Sequence, residues 1–466
     1  MLEGLQQYLM TVVSAVNSFL WDWALLILLL GTGVYFTIRL RFIQVRKFGA
    51  AFRLMFRGFS LRGEKAGASG MSSFQSLATA IAAQVGTGNI AGAATAMIAG
   101  GPGAIFWMWV SAFFGMATIF AEATLAKRYK TERGGRAVGG PVYYIRAAIK
   151  GRFGKVLAAC FSVFLILALG FMGNMVQSNS IADAMKNAFG FSPVWVGVVT
   201  ALLAALIFMG GVQRIAAVTE KIVPIMAIFY VIGSLIIVFG NITYIPEIFR
   251  QIVVGAFAPQ AVVGGALGIG VQQAMRYGVA RGLFSNEAGM GSTPHAHALA
   301  QVDHPGEQGY MAMVGVFIDT FVVLTMTALV IMISGLLGEG FAGTYVGIGL
   351  AQAAFRASFG NFGTIFIAIC LFFFAFSTII GWYFFGEMNV RYLFRSRCAV
   401  YIYAALVVAF VFVGAVLKVD LVWSLADMFN GLMVIPNLIG LLLLSNQVVH
   451  LSRDFEFQSA RIAKNK

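Results

Sequence analysis

The chain alternates between long apolar stretches and short polar connections. A helix rises 1.5 Å per residue, so about 20 apolar residues cross a hydrocarbon layer of about 30 Å. Runs of that order fall near 17–38, 71–99, 103–126, 156–183, 194–213, 217–239, 261–280, 310–336, 362–387, 398–417 and 420–445. The pattern predicts an all-α polytopic membrane protein with eleven transmembrane helices. One run departs from the rule for such helices. Within 71–99 the stretch AAQVGTGNIAGAATA, Ala82 to Ala96, sets Gly86 and Gly88 around Thr87, with Gln84 and Asn89 on either side. A second interruption, GGALGIG from Gly264 to Gly270, falls in the run 261–280.

Glycine costs about 1 kcal/mol relative to alanine in a helix interior, and an unpaired peptide group in lipid costs several. A break therefore persists only where something else hydrogen-bonds the freed backbone. Exposed carbonyls suit a hard cation such as Na⁺, and amide groups at the start of a half-helix suit a carboxylate. The competing reading is close helix packing, for which Gly88 and Gly92 have the small-xxx-small spacing. For GTGN alone the two readings stand level. The matching interruption shifts the balance to a ligand, because paired breaks in two inverted halves point to a secondary transporter's central site. The halves are read as follows: 1–70, an extra helix and a basic amphipathic connection; 71–240, a first five-helix repeat; 241–260, an external connection. Then come 261–446, a second, inverted five-helix repeat with a cytoplasmic loop at 281–308, and 447–466, a cytoplasmic tail.

Composition agrees, with 60% hydrophobic and 11% charged residues. The net charge of +14 does not indicate nucleic acid, because the basic residues gather in alternate connections: 39–65, 127–155, and Arg391, Arg395 and Arg397. Only Lys186, Arg250, Arg356 and Lys418 of the 32 Lys and Arg then fall outside, so the amino terminus is external and the carboxyl terminus cytoplasmic. The first run lacks a basic n-region and is read as a retained helix. Cys160, Cys370 and Cys398 show no paired spacing and read as small core residues. A phosphate loop, a GxSxG elbow and a hydrolase triad are all missing from the sequence, so an enzyme is not expected. A channel requires polar residues repeated along its spans rather than gathered at two breaks.

Three longer stretches carry a resemblance. GTGNIAGAATAMIAGGPGAIFWMWVSAFFGMATIFAEATLA from Gly86, GGPVYYI from Gly139 and ARGLFSNEAGMGSTPHAHA from Ala280 resemble the alanine/glycine:cation symporter family. The resemblance implies a leucine-transporter-like fold, a 5+5 inverted repeat preceded by one extra helix, in a prokaryotic inner membrane. It implies uptake of small neutral amino acids, alanine or glycine, driven by Na⁺ or, in some members, H⁺. No organic cofactor, no nucleic acid and no partner beyond membrane lipid is expected; the oligomeric state is not read. Carried over to this chain, Gln84, Gly86, Thr87, Gly88 and Asn89 hold the substrate's carboxylate and amino group. Ala82 and Val85 lend carbonyls to Na⁺, and Ser377 and Thr378 in FSTIIGW lend hydroxyls.

Other polar groups at depth leave alternatives open. Trp382, four residues after Thr378 on the same face, walls the side-chain pocket or belongs to an interfacial belt. Asn174 and Gln177 contact substrate or join helices by hydrogen bonds, and Gly268, Gln272 and Gln273 at the second break carry the same ambiguity. Asp319 ligates a second cation, relays a proton, or pairs with Arg276 or Arg281, the last being preferred. Glu122, Glu220, Glu387 and Asp427 are read as gate or anchoring groups. Ser285, Asn286 and Glu287 are read as caps of a short gating helix, Glu287 being an ion-pair candidate. His295 and His297, two apart without a third ligand, are read as a solvated loop rather than a metal site.

Overall fold

In a computed structural model of the chain the structure describes residues 2–57, 70–133, 136–259, 270–337, 344–394, 396–417 and 420–464. Almost all of them are helical; one antiparallel hairpin pairs Thr131–Arg133 with Arg136–Val138. Among the described residues, eight helices are long and apolar enough to cross a membrane: Gln7–Arg39, Gly103–Arg128, Gly151–Phe189, Gly211–Gly240, Pro305–Ile333, Asn361–Leu393, Arg397–Val416 and Asp420–Leu443. The count of eleven is thus not met by uninterrupted helices. The run 71–99 is split into Ser73–Gln84 and Ala93–Gly100, and Pro193–Phe208 and Val271–Asn286 are shorter. The second predicted interruption, apart from Gly270, lies outside the described residues.

The environment of the long helices can be read from their faces. On Gly211–Gly240 the residues Ile225, Ile228, Ile232, Ile236 and Phe239 form an exposed apolar stripe at helical spacing, while Val223, Met226, Tyr230 and Ile237 are buried. A face of that kind is stable against hydrocarbon and not against water. Four helices carry π turns: Leu20–Ala24, Gly88–Gly92, Ile166–Gly173 and Phe317–Leu324.

Small residues set the closest approaches. Val271–Asn286 lies on Gly103–Arg128 through Gly278 and Gly282, where an added Cβ would stand 2.4 Å from the Ala104 carbonyl and 2.8 Å from Ser111 Oγ. Asn361–Leu393 approaches Ser73–Gln84 at Gly381, whose Cβ would meet that of Ala83 at 2.9 Å. These contacts bring the helix carrying Ser377 and Thr378, and the end of the helix carrying Ser285, against the break at 85–88.

Several segments are more ordered than the hydropathy pattern implied. The connection after the first helix forms Ile43–Arg46 and Phe48–Arg57, and Ile245–Phe257 and Ile348–Phe359 lie in connections between the predicted spans. The tail at 447–466 is a docked helix, Ser445–Lys464. Its Phe455 stacks on His304 with ring centroids 5.1 Å apart and fills the space left by Gly306. Its Glu456 receives Arg46 on both oxygens at 2.8 Å and Lys47 at 3.3 Å. Cys160, Cys370 and Cys398 are all free.

The hydrogen-bonded Arg46 guanidinium, with Lys47 beside it, holds the Glu456 carboxyl below its ordinary value of 4.5. A carboxyl lowered by folding adds stability above its unfolded value and loses it as pH falls through the folded one. The helix Ser445–Lys464 is therefore expected to lose hydrogen-exchange protection, corrected for intrinsic rates, as pH drops below about 4.5. Glu456→Gln is expected to show the reduced protection already at neutral pH.

Candidate functional site

The helix Ser73–Gln84 opens with a capping box: Ser72 Oγ accepts from Gln75 N, and Gln75 Oε1 accepts from Ser72 N. It ends at Val85, whose φ of −80° and ψ of 92° are extended, and helical winding resumes as a π turn at Gly88. The backbone released around these points is met by side chains from three elements. Asn89 folds back so that its Oδ1 accepts from Gly86 N at 3.0 Å. Gln177 Oε1 accepts from Thr87 N at 3.2 Å. Thr378 Oγ1 donates to the Ala82 carbonyl at 2.9 Å and lies 3.4 Å from that of Val85, and Ser377 Oγ lies 3.4 Å from the Ala82 carbonyl. Gln84 Nε2 donates to the Asn286 carbonyl at 2.7 Å.

Ala82, Val85, Ser377 and Thr378 therefore meet in one place, although 292 or more residues separate the two pairs, and all are fully buried. Their four oxygens form a neutral donor set of the type that suits a hard monovalent cation, with no sulfur or nitrogen among them. Two buried polar atoms of the broken helix, Gln84 Oε1 and Thr87 Oγ1, and two of Asn174–Phe189, Asn174 Oδ1 and Ser178 Oγ, have no protein partner among the described residues. An unpaired buried polar group costs about 1–3 kcal/mol, so these atoms await a ligand or water. Asn174, Gln177 and Ser178 lie on the inward side of the helix Asn174–Phe189, and Gln177 spans the gap to Thr87.

The glycines are required by space. An added Cβ at Gly86 would stand 2.4 Å from Thr378 Oγ1, and one at Gly88 would stand 3.2 Å from Ser285 Cα. Gly92 is different, since its nearest neighbour would be the Thr87 carbonyl at 4.0 Å. The small-xxx-small reading of Gly88 and Gly92 thus fails at Gly92, which touches no neighbouring helix closely.

Trp382 is buried and is not a belt residue. Its ring fills the space beside Gly173, where a Cβ would meet the indole at 2.5 Å, and Phe284 meets it edge-on at 6.0 Å. Its Nε1 donates to Glu287 Oε1 at 2.5 Å. Gln272 is exposed in the first turn of Val271–Asn286, because that helix brings its opposite end to the break. Gln273 is exposed as well; its side chain accepts from Gly270 N at 3.2 Å. Gly268 lies outside the described residues. The second half reaches the break instead through Ser285, Asn286 and Asp319.

The arginine pairing preferred for Asp319 is not found. Arg276 pairs with Asp22 at 2.6 Å and Arg281 with Asp427 at 3.2 Å. Asp319 is buried and accepts from Asn89 Nδ2 at 2.7 Å, Ser285 Oγ at 3.0 Å and Thr320 Oγ1 at 2.8 Å, so Asn89 ties it directly to the broken helix. Glu122 and Glu287 likewise have no cation among the described residues. Glu122 accepts from Gly289 N at 3.0 Å and Asn437 Nδ2 at 2.5 Å, and Glu287 accepts from Ser292 Oγ at 2.5 Å. Glu220 accepts from Gln75 Nε2 at 2.9 Å, and Glu387 pairs with Arg391 at 2.5 Å.

Nor do Ser285 to Glu287 cap a separate gating helix. Glu287 closes Val271–Asn286 in the left-handed region with φ 56°, and Gly289 and Gly291 follow at φ 87° and 80°. The stretch 288–300 is buried rather than solvated. His295 Nδ1 meets the Ser292 carbonyl at 2.7 Å and its Nε2 accepts from Asn389 at 2.9 Å, while His297 meets Gln308 Oε1 at 2.8 Å. No cluster of three metal-binding side chains occurs among the described residues. Asn437, bonded to Glu122, the Gly289 carbonyl and Tyr144, is the residue that sequence reasoning passed over. Its signal was present, a carboxamide within an apolar span, the pattern that drew attention to Asn174.

A bundle of apolar helices around one broken at its centre is an architecture already known among membrane proteins. Solved structures share the fold. MhsT in complex with L-phenylalanine superposes with a TM-score of 0.54 at 14% identity over 79% of this chain and 89% of that one. A manganese transporter of Eremococcus coleocola gives 0.51 at 16% identity over 77% and 74%. Both are leucine-transporter-fold proteins. The model of the sodium:alanine symporter family matches residues 6–466, and the chain belongs to that family. Sodium/alanine symporter AgcS of Methanococcus maripaludis is 45% identical over 98% of this chain and 99% of its own length. The probable sodium/glutamine symporter GlnT of Bacillus subtilis is 41% identical over 97% and 92%.

Gly86→Ala is expected to force Thr378 away from the carbonyls of Ala82 and Val85 and to destabilise the protein by about 1–3 kcal/mol. Gly92→Ala, with space for its methyl group, is the tolerated counterpart. Thermal unfolding of the two purified variants beside the wild type checks the contrast.

Proposed function

We propose that this protein is a secondary active symporter that imports small neutral amino acids, alanine or glycine, together with Na⁺ by alternating access. The observation that carries the reading is the meeting, at one break, of the Ala82 and Val85 carbonyls with the Ser377 and Thr378 hydroxyls. Na⁺ takes the Ala82 and Val85 carbonyls and the Ser377 and Thr378 hydroxyls. Binding there fixes the end of Ser73–Gln84 and so presets the amides that follow. The substrate's carboxylate lies against the amides at Gly86 to Gly88, and its ammonium turns toward the carboxamide oxygens of Gln84 and Asn174. Trp382, closed onto Gly173, leaves room for a short side chain. Relatives named as sodium/alanine and probable sodium/glutamine symporters support the ion and an amino acid as cargo. The protein lies in the plasma membrane with its amino terminus external. Its eleven spans comprise one extra helix and two inverted sets of five.

One observation favours proton coupling as a second reading: Asp319, buried without a base among the described residues, is hydrogen-bonded to Asn89 of the break. Labelled alanine uptake into proteoliposomes, with Na⁺ and H⁺ gradients imposed separately, decides between them. A Na⁺ gradient alone is expected to drive accumulation, and Thr378→Ala to raise the Na⁺ concentration for half-maximal uptake about tenfold or more, one lost ligand being worth 1.4 kcal/mol or more. Equal uptake in Na⁺, K⁺ and choline at fixed pH overturns the Na⁺ assignment. Uptake driven by H⁺ alone and abolished by Asp319→Asn establishes the second reading.

A further inference from the structure

The N-terminal helix is the part of the chain that the proposed transport cycle leaves without a task. It meets two working helices at one level. Trp21 Nε1 donates to the Asp427 carbonyl at 3.1 Å, and Asn17 Nδ2 donates to that of Ser424 at 2.8 Å, both on Asp420–Leu443. Asp22 pairs with Arg276 of Val271–Asn286 at 2.6 Å. The chain makes a π turn at Leu20–Ala24, the winding that brings Trp21 and Asp22 to these partners, and π turns concentrate at functional positions. Gly431 lets the contact close: its Cβ would lie 2.9 Å from Leu25 and 3.0 Å from Leu20.

The two helices thus joined carry the pair Arg281–Asp427. Its two contacts are both 3.2 Å, longer than the usual charge-assisted bond of about 2.7–2.9 Å, and each side chain is 20% exposed. The Arg281 guanidinium lies over Phe284 and Trp423 at 5.9 and 5.7 Å from the ring centroids. Phe284 in turn packs on Trp382 and on Gly88 of the break. Arg281 precedes Ser285, which lies against Gly88, by four residues, so the pair stands about one helical turn from the break. A cavity of about 80 Å³ beside it is lined by Asn17, Trp21, Arg276, Tyr277, Arg281 and Asp427. Asn17 Oδ1 has no partner among the described residues.

We propose that the N-terminal helix is a strut that holds the Arg281–Asp427 closure shut, with Trp21 and Asp22 as positioning residues for the opening step. Trp21 fixes the backbone that carries Asp427, and Asp22 fixes the helix that carries Arg281. A partly exposed ion pair of long contacts opens readily by itself; the two added ties set how often it does. The inference rests on the transport reading above.

The test is the rate at which a membrane-impermeant thiol reagent labels Ala280→Cys in full-length protein carrying Cys398→Ser, measured in Na⁺ without amino acid. Asp22→Asn and Trp21→Phe are each expected to speed labelling by about threefold or more. The Kd of labelled alanine from equilibrium binding stays within twofold. The exchanged pair Asp22→Arg with Arg276→Asp is expected to return the rate toward wild type. Unchanged labelling in both single variants overturns the strut, as does a Kd that shifts by the same factor as the labelling rate. Accelerated labelling that the exchange fails to reverse removes Asp22 from the role. If Asp22→Asn does not yield monodisperse protein, Trp21→Phe, which keeps an aromatic ring and loses only the N–H, decides alone. Wild-type protein that binds no alanine defeats the transport reading, while the labelling comparison still judges the strut.

Discussion

The constraint on which this fold depends is that peptide groups inside an apolar bundle must find partners. Between Val85 and Asn89 the helical ladder supplies none for several of them, and the gap is filled by Asn89, Gln177 and Thr378. Those side chains come from the broken helix itself, from Asn174–Phe189 and from Asn361–Leu393. Satisfying one short stretch of backbone therefore fixes the relative position of three elements. Whatever binds there competes with these side chains or joins them. Binding is thereby linked to how the helices sit against one another.

The same economy appears around residues 285–292. Three buried carboxylates, Asp319, Glu287 and Glu122, attach to this segment in turn through Ser285, Ser292 and the Gly289 amide. Each is met by neutral donors, and none by a base among the described residues. A carboxylate removed from water is costly unless well hydrogen-bonded, so each holds its donors firmly in place. The segment is consequently tied to Asn89 through Asp319, to Trp382 through Glu287, and to Asn437 through Glu122. A connection with two glycines in the left-handed region is in this way as tightly held as the helices around it.

Much of this was legible in the chain, because the informative signals were breaches of a simple rule. Glycines and carboxamides inside an apolar run identified the break, and the hydroxyls of FSTIIGW lay where the resemblance placed them, against Ala82 and Val85. What escaped was the choice of partner. Asp319 was visible as a buried acid, yet its neighbours Asn89, Ser285 and Thr320 are polar residues spread over 230 positions, and two arginines were the better match by charge. His295 and His297 looked like loop residues because no hydropathy pattern reports burial by packing of a connection. Gln272 was misjudged by its nearness to glycines in sequence; the helix direction carries it away. The docked helix Ser445–Lys464 is polar on average, and its attachment depends on Phe455 and Glu456 finding His304 and Arg46.

The π turn at Phe317–Leu324 has a consequence for how this helix tolerates change in length. Such a turn accommodates one residue more than the regular spiral. Removing a single position there would restore ideal winding and leave the turns on either side in register, so the change would fall on the wide turn itself. Asp319 and Thr320 lie within that turn, so theirs are the directions toward Ser285 and Asn286 that an otherwise flawless rod would give up.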